Sequence, residues 1–278
     1  FLKELYREIV EVKNHLQKQI MITKDSFSRI YEITETLDSL SPRVVCSRTV
    51  KVMEEIMECD SVAIYVKPQE GSSYGRLLVC SAKLSRKLSP SIDFQKFPKL
   101  FSAMEEGKLF VNQELDEQYP AFAMPVWDGN VPIALAVLYE LPLERYTIYY
   151  KNLFQTLVQM VQNNLVKAYR YQEQNKERIY LPGTRILSRG EFQKELNALR
   201  EAEEEYKYPY SVARIAGKSY STIEELYHGV QPLLRGTDLL GQGIDGAVRA
   251  VFLYVDRSDR LLLENRFNNN GIAIFWED

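Results

Sequence analysis

Histidine is nearly missing from this chain. Only His15 and His228 occur in 278 residues, each isolated on a segment with helical spacing, which leaves no zinc site of the usual His/Cys kind. Cysteine is scarce too: Cys46, Cys59 and Cys80 show no C-x-x-C spacing and read as small, reduced core residues of a cytosolic compartment. There is no large excess of either charge. The 35 Lys and Arg against 38 Asp and Glu leave a net charge of −3, which gives no electrostatic reason to expect DNA or RNA as a partner. Any anion site must be a local cluster of Arg or Lys. A long apolar run is also absent. The stretch from Val131 to Leu143 is broken by Pro132, Glu140 and Pro142, whereas a membrane-spanning helix needs about 20 apolar residues. No signal peptide is evident, and the chain opens at Phe1 already inside a helical pattern, so a longer parent protein is expected.

Glycine and proline are absent before Pro42, and the apolar pattern there is regular. Leu2, Leu5, Ile9, Val12 and Leu16 alternate steps of three and four, and the seam resumes at Ile20, Thr23, Phe27, Ile30, Thr34 and Leu37. This is a heptad seam with one stutter-like shift between Leu16 and Ile20. A stripe so narrow cannot be buried by a lone helix, so residues 1–40 are expected to form a parallel coiled coil that makes the chain a homodimer. The alternative is a helix packed on its own domain. At 278 residues the chain exceeds one ordinary core and suggests about two domains plus this extension. Its 45% apolar and 26% charged content is ordinary for soluble globular protein.

Residues 41–171 read as one domain. Val50, Met53 and Ile56 or Met57 have helical spacing, and Ser61 to Val66 alternates as a strand with Val62, Ile64 and Val66 on one face. A turn at Gly71 to Gly75 precedes a strand over Arg76 to Ser81. Phe94, Phe97, Phe101 and Met104 suggest a helix closed by Gly107. Ala121 to Trp127 and Val131 to Tyr139 are strands joined by Asp128-Gly129-Asn130, a strong hairpin signal. A long helix over Thr147 to Tyr171 ends the segment. This order, and the run Ala121-Phe-Ala-Met-Pro-Val-Trp-Asp-Gly-Asn-Val-Pro-Ile-Ala-Leu-Ala-Val-Leu above all, resembles a GAF domain. Such domains often bind small ligands, but many only dimerise. No convergent Cys, His or charged cluster marks a chromophore or cyclic-nucleotide pocket here.

Residues 172–278 read as a second α/β domain. Helices are expected over Glu191 to Tyr206, Ser221 to Leu234 (capped by Ser221 or Thr222) and Ser258 to Phe267. Strands are expected over Tyr210 to Ile215, from Leu239, over Ala247 to Val255 and over Ile272 to Trp276. Thr184, Arg189 and Phe192 match an opening motif, Leu226, Val230 and Leu234 match a central helix, and Arg235-Gly236-Thr237-Asp238 stands five residues before the loop Ile244-Asp245-Gly246-Ala247-Val248. With these residues the segment resembles a GGDEF domain, the fold of diguanylate cyclases. The expected architecture is therefore α/β, of the α+β kind: a coiled-coil helix (1–40), a GAF-like domain (41–171) and a degenerate GGDEF domain (172–278).

The resemblance implies where catalysis would sit, and the residues tell against it. Cyclases hold magnesium with carboxylates on the signature loop and the first strand. Here the acidic pair is reduced to Ala247 and a misplaced Asp245, the strand ends in Ala216-Gly217-Lys218, and only Ser219 and Tyr220 remain of the next helix and loop. No catalytic residue, metal ligand or cofactor is expected. The R-x-x-D of the family's inhibitory site survives as Arg235 and Asp238. Arg235 can grip phosphate or guanine O6/N7 through two parallel hydrogen bonds and stack on a purine. Asp238 can accept from guanine N1 and N2 hydrogens, which adenine lacks. The bland reading is a local surface ion pair. A further Arg of that site stands about thirty residues on, where this chain has Arg266; Arg257 and Arg260 lie nearer the helix start.

A GAF domain followed by a degenerate GGDEF domain with R-x-x-D resembles the PelD-like cyclic di-GMP receptors. That resemblance implies cyclic di-GMP as ligand at Arg235, Asp238 and Arg266, and control of Pel exopolysaccharide and biofilm matrix synthesis. It also implies inner-membrane Pel synthesis components as partners. The chain would be the cytoplasmic portion of a cell-membrane protein whose transmembrane segment lies outside it. Two other classes stay open: a dimerisation scaffold that binds no ligand, and a sensor whose ligand sits in the GAF domain.

Overall fold

A computed structural model describes residues 31–67, 72–85, 87–206, 209–217 and 220–277. Most of the expected coiled coil, residues 1–30, lies outside the described residues; residues 31–37 are helical, and the helix ends before Ser39 rather than at Leu40. Ser39–Asp278 forms one compact unit built on two antiparallel sheets.

The first sheet has six strands: β1 (Val62–Val66), β2 (Tyr74–Cys80), β3 (Ser91–Asp93), β4 (Phe110–Val111), β5 (Phe122–Asp128) and β6 (Val131–Leu138), in the order β3-β2-β1-β6-β5-β4. The β5–β6 hairpin turns at Asp128-Gly129-Asn130-Val131, with Gly129 at φ +60°. Only glycine enters that region without a Cβ penalty. Helix α1 (Pro42–Met57) packs with the long α3 (Ile148–Gln174), and α3 lies on β5. The opposite face carries Ala63, Tyr65, Leu77, Leu135 and Val137 against Phe94, Leu100 and Met104. Both faces are therefore covered, and all five residues of β1 are buried, those on the Val62, Ile64 and Val66 face and those opposite. Helix α2 (Pro98–Glu105) is shorter than the Phe94–Met104 spacing predicts. Proline disfavours helical backbone in the residue before it, and Phe97 takes ψ +69°. Phe94 instead sits in a separate 3-10 turn. Strands β3 and β4, at three and two residues, are too short to announce themselves by period.

The second sheet has four strands: β7 (Tyr210–Gly217), β8 (Leu239–Gln242), β9 (Val248–Leu253) and β10 (Ile272–Glu277), in the order β10-β7-β9-β8. With α6 (Ile223–Val230) and α7 (Arg260–Asn268) it makes a β-α-β-β-α-β unit. Thr222 caps α6 by accepting from the Glu225 N–H at 3.2 Å, while Glu225 accepts from the Ser221 N–H at 2.9 Å, a reciprocal arrangement of the capping-box kind. Residues of α6 and α7, among them Val230, Leu263 and Phe267, share one core with Ala213, Ile215, Ala250, Phe252 and Ile274 of the sheet. Lys176–Ile179 forms a short helix, α4, and α5 (Arg189–Tyr206) touches β8. There Phe192 occupies the space that a Cβ on Gly241 would need, so a residue of the opening motif pins α5 to the sheet. Thr184 holds the turn before it, donating to the Leu181 carbonyl and accepting from the Ile186 N–H. The molecule is α/β, with a six-stranded antiparallel sheet followed by a four-stranded one. Among the described residues no helix is long and apolar enough to cross a membrane.

Candidate functional site

Helix α6 stops at Val230, four residues short of the expected Leu234. A 3-10 turn over Gln231–Leu233 follows, because Pro232 cannot donate its N–H to continue the α-helix. Arg235 to Asp238 then closes its own turn. The Asp238 N–H donates to the Arg235 carbonyl at 3.0 Å, and the Arg235 N–H donates to Asp238 Oδ2 at 2.7 Å. The R-x-x-D spacing thus builds a turn. Asp238 spends one oxygen on the backbone, and its Oδ1 is buried without a hydrogen bond.

Burial pushes the Asp238 carboxyl up to about 6; the Arg235 N–H, the Arg235 guanidinium, the Leu253 N–H and the charge of Arg266 act in the other direction. Arg266 stands in the last turn of α7, near enough for its charge to act on Asp238. Arg235 is half-buried and Arg266 exposed, and neither guanidinium has an ion pair or hydrogen bond among the described residues. The surface ion pair within R-x-x-D is not what forms. Arg260 is used elsewhere: its Nε donates to Ser211 Oγ at 3.3 Å and its guanidinium lies 5.0 Å from the Trp276 ring.

The loop Ile244–Val248 has a different arrangement. Asp245 receives Arg249 through both oxygens, at 2.6 and 3.2 Å, and the same guanidinium reaches Glu277 on β10 at 2.7 Å. Arg249 holds the Asp245 carboxyl down to about 2. The remaining acid of the loop is therefore committed to a cation of the protein itself. Ala216, at the end of β7, faces Ala273 across the sheet; Lys218 and Ser219 lie outside the described residues. No group of three His, Cys, Asp or Glu is placed to hold a metal ion among the described residues. A cavity of about 660 Å³ opens beside this loop, lined by Phe192, Arg200, Tyr210, Asp245 and Arg249 among others. Arg235, Asp238 and Arg266 do not line it, so the R-x-x-D turn is a separate place on the molecule.

Sequence reasoning missed one neighbour of the turn. The buried Arg43, in the first turn of α1, donates from Nη2 to the Thr237 carbonyl at 3.0 Å. Nothing local marks Arg43 for this role; Ser41-Pro42 announces a helix start, but not what that helix touches.

No family model matches the chain, and no curated relative does. The chain is similar to PelD. It is 12% identical to PelD 158-CT from Pseudomonas aeruginosa PAO1, solved in complex with c-di-GMP, with 90% of this chain and 89% of that one covered and a TM-score of 0.37. It is also similar to the GAF domain from an Acinetobacter phosphoenolpyruvate-protein phosphotransferase, at 15% identity, covering 53% of this chain and 96% of that one with a TM-score of 0.41. A DGC protein from Thermotoga maritima matches at 16% identity, covering 34% of this chain and 83% of that one with a TM-score of 0.29.

Proposed function

We propose that this protein is a non-catalytic receptor for cyclic di-GMP, which it binds at Arg235, Asp238 and Arg266. The observation that carries the reading is the charge arrangement: the guanidiniums of Arg235 and Arg266, neither of them in an ion pair or hydrogen bond among the described residues, both act on the buried carboxyl of Asp238. A guanine edge carries the N–H donors that suit a carboxylate, and to reach Asp238 Oδ1, buried in the free protein, it would shift the turn. The paired phosphates and purines of the ligand suit the two arginines. In this reading the GGDEF-like domain has exchanged catalysis for recognition, since its loop acid is neutralised by Arg249. The receptor would act on Pel exopolysaccharide synthesis, as the cytoplasmic portion of a membrane protein that meets inner-membrane Pel components and dimerises through residues 1–40. Light scattering before and after removal of those residues tests the dimer; a monomer at micromolar concentration would refute it.

Calorimetric titration with cyclic di-GMP is the decisive test. Saturable binding that is lost in Arg235→Ala supports the site. A folded protein that gives no heat returns the chain to a scaffold role, and binding untouched by Arg235→Ala places the ligand in the GAF-like domain.

A further inference from the structure

Five buried side-chain nitrogen or oxygen atoms have no hydrogen-bond partner among the described residues, and four of them belong to Arg43 (Nε and Nη1), Glu195 (Oε2) and Asp238 (Oδ1). Native interiors leave few such atoms, and here Arg43, ion-paired with Glu195, also meets the turn that holds Asp238. The connections are specific. Arg43 is 8% exposed and Thr237 6%, and the Arg43 Nη2–Thr237 carbonyl bond links residues 194 apart in sequence. Arg43 Nε lies 3.5 Å from Glu195 Oε2 on α5. Ser41, whose hydroxyl caps α1, donates to the other Glu195 oxygen at 2.6 Å. The start of α1 is thus fastened to the second sheet's unit at two points, and one of them is the backbone of the Arg235–Asp238 turn.

We infer that Arg43 is a positioning residue for this turn, and that occupancy of the turn is coupled through Arg43 to the first turn of α1. The inference rests on the reading of Arg235 and Asp238 as the cyclic di-GMP site. Thr237 lies between the two side chains that would meet the ligand, so fixing its carbonyl orients both before binding and spares the ligand that ordering. A buried guanidinium with an incomplete set of partners is also sensitive to small shifts of the turn. Because linkage is reciprocal, whatever Arg43 contributes to ligand affinity the ligand returns as order at α1.

The test uses the whole chain. Arg43→Gln removes the charge and the buried bond, and cyclic di-GMP should bind about tenfold more weakly, the usual scale for one hydrogen bond from a charged group. Arg43→Lys keeps one donor for the Thr237 carbonyl and should recover most of that loss. In an Asp238→Asn background Arg43→Gln should cost less than about threefold, since the two act through one turn. Amide exchange at Val44 and Val45 should slow on ligand addition in the parent and not in Arg43→Gln. Parental affinity in folded Arg43→Gln, simple additivity with Asp238→Asn, or exchange at α1 that ignores the ligand would each overturn the coupling. Should Arg43→Gln fail to fold, Arg43→Lys and exchange in the parent decide it. If the parent binds no cyclic di-GMP, the site reading itself falls; if the parent binds and only the Arg43 effects are missing, the site stands and this inference alone is lost.

Discussion

Two neighbouring loops of the second sheet treat their charges in opposite ways. The turn Arg235–Asp238 ends with its carboxyl bound to backbone, one oxygen buried and unused, and its arginine and Arg266 without partners among the described residues. The loop Ile244–Val248, a few residues on, ends with Asp245, Arg249 and Glu277 locked together. A charge set that satisfies itself has little to offer a ligand; one held short of satisfaction is ready for an outside partner. The two loops also put the same residue type in opposite states. Asp238 is pushed up to about 6 by burial, and Asp245 is held down to about 2 by its arginine.

The largest expected effect would break this comparison outright. Arg235→Ala and Asp238→Ala should each weaken cyclic di-GMP binding tenfold or more, at roughly 1.5–3 kcal/mol for a hydrogen bond to a charged group. Arg235→Lys should cost nearly as much, because an ammonium makes neither the paired contact nor the stack. Asp245→Ala should leave the affinity within about twofold of the parent, since its carboxylate already serves Arg249. Calorimetry that ranked Asp245 with Asp238 would remove the distinction.

Acid should separate the loops next. Asp238 has a raised folded value, so it takes up a proton as pH falls through about 6, and a protonated carboxyl accepts poorly from guanine. Affinity at pH 5 should be about tenfold lower than at pH 7, one unit below the carboxyl's value being worth roughly a factor of ten. The unliganded fold should respond with the opposite sign. Protonation relieves a buried charge, so this group's contribution to stability is greatest below the ordinary carboxylate range and is lost as pH rises through about 6. Titrations and melts across pH 4–8 would show both slopes, and Asp238→Asn should flatten both.

Arg266→Ala should weaken binding by a smaller factor, about threefold to tenfold, because its exposed guanidinium acts partly through water. Arg249→Ala should leave affinity unchanged and lower stability by about 1 kcal/mol in urea unfolding, a figure kept small because Asp245 and Glu277 remain solvent-accessible. The smallest expected signal is none: with GTP and magnesium the protein should form no cyclic di-GMP, and turnover above a heat-killed control would return the Ile244–Val248 loop to catalysis.

Much of this was legible from the chain itself where the signal is local. The β5–β6 hairpin follows from Asp128-Gly129, because a two-residue turn needs a backbone that only glycine adopts freely. The α6 start follows from Thr222 and Glu225. The R-x-x-D spacing names residues that close a turn, since Pro232 ends the helix early and the aspartate turns onto its own backbone. The second face of β1 is decided by packing: Ala63 and Tyr65 are buried by segments remote in sequence, and alternation reports only the strand's own side chains.

The sequence by itself determined what depends on a few consecutive residues: the periods of strand and helix, the caps and the hairpin glycine. Only the tertiary structure decided which charges are spent and which are not. Arg43 and Arg249 are alike in sequence terms to Arg235 and Arg266, yet the first two are held by Thr237, Glu195, Asp245 and Glu277. The ionisation of Asp238 was settled in the same way. A carboxyl's charge is set by its burial and by the groups within a few ångströms, and the Arg266 helix reaches it only when the chain has folded.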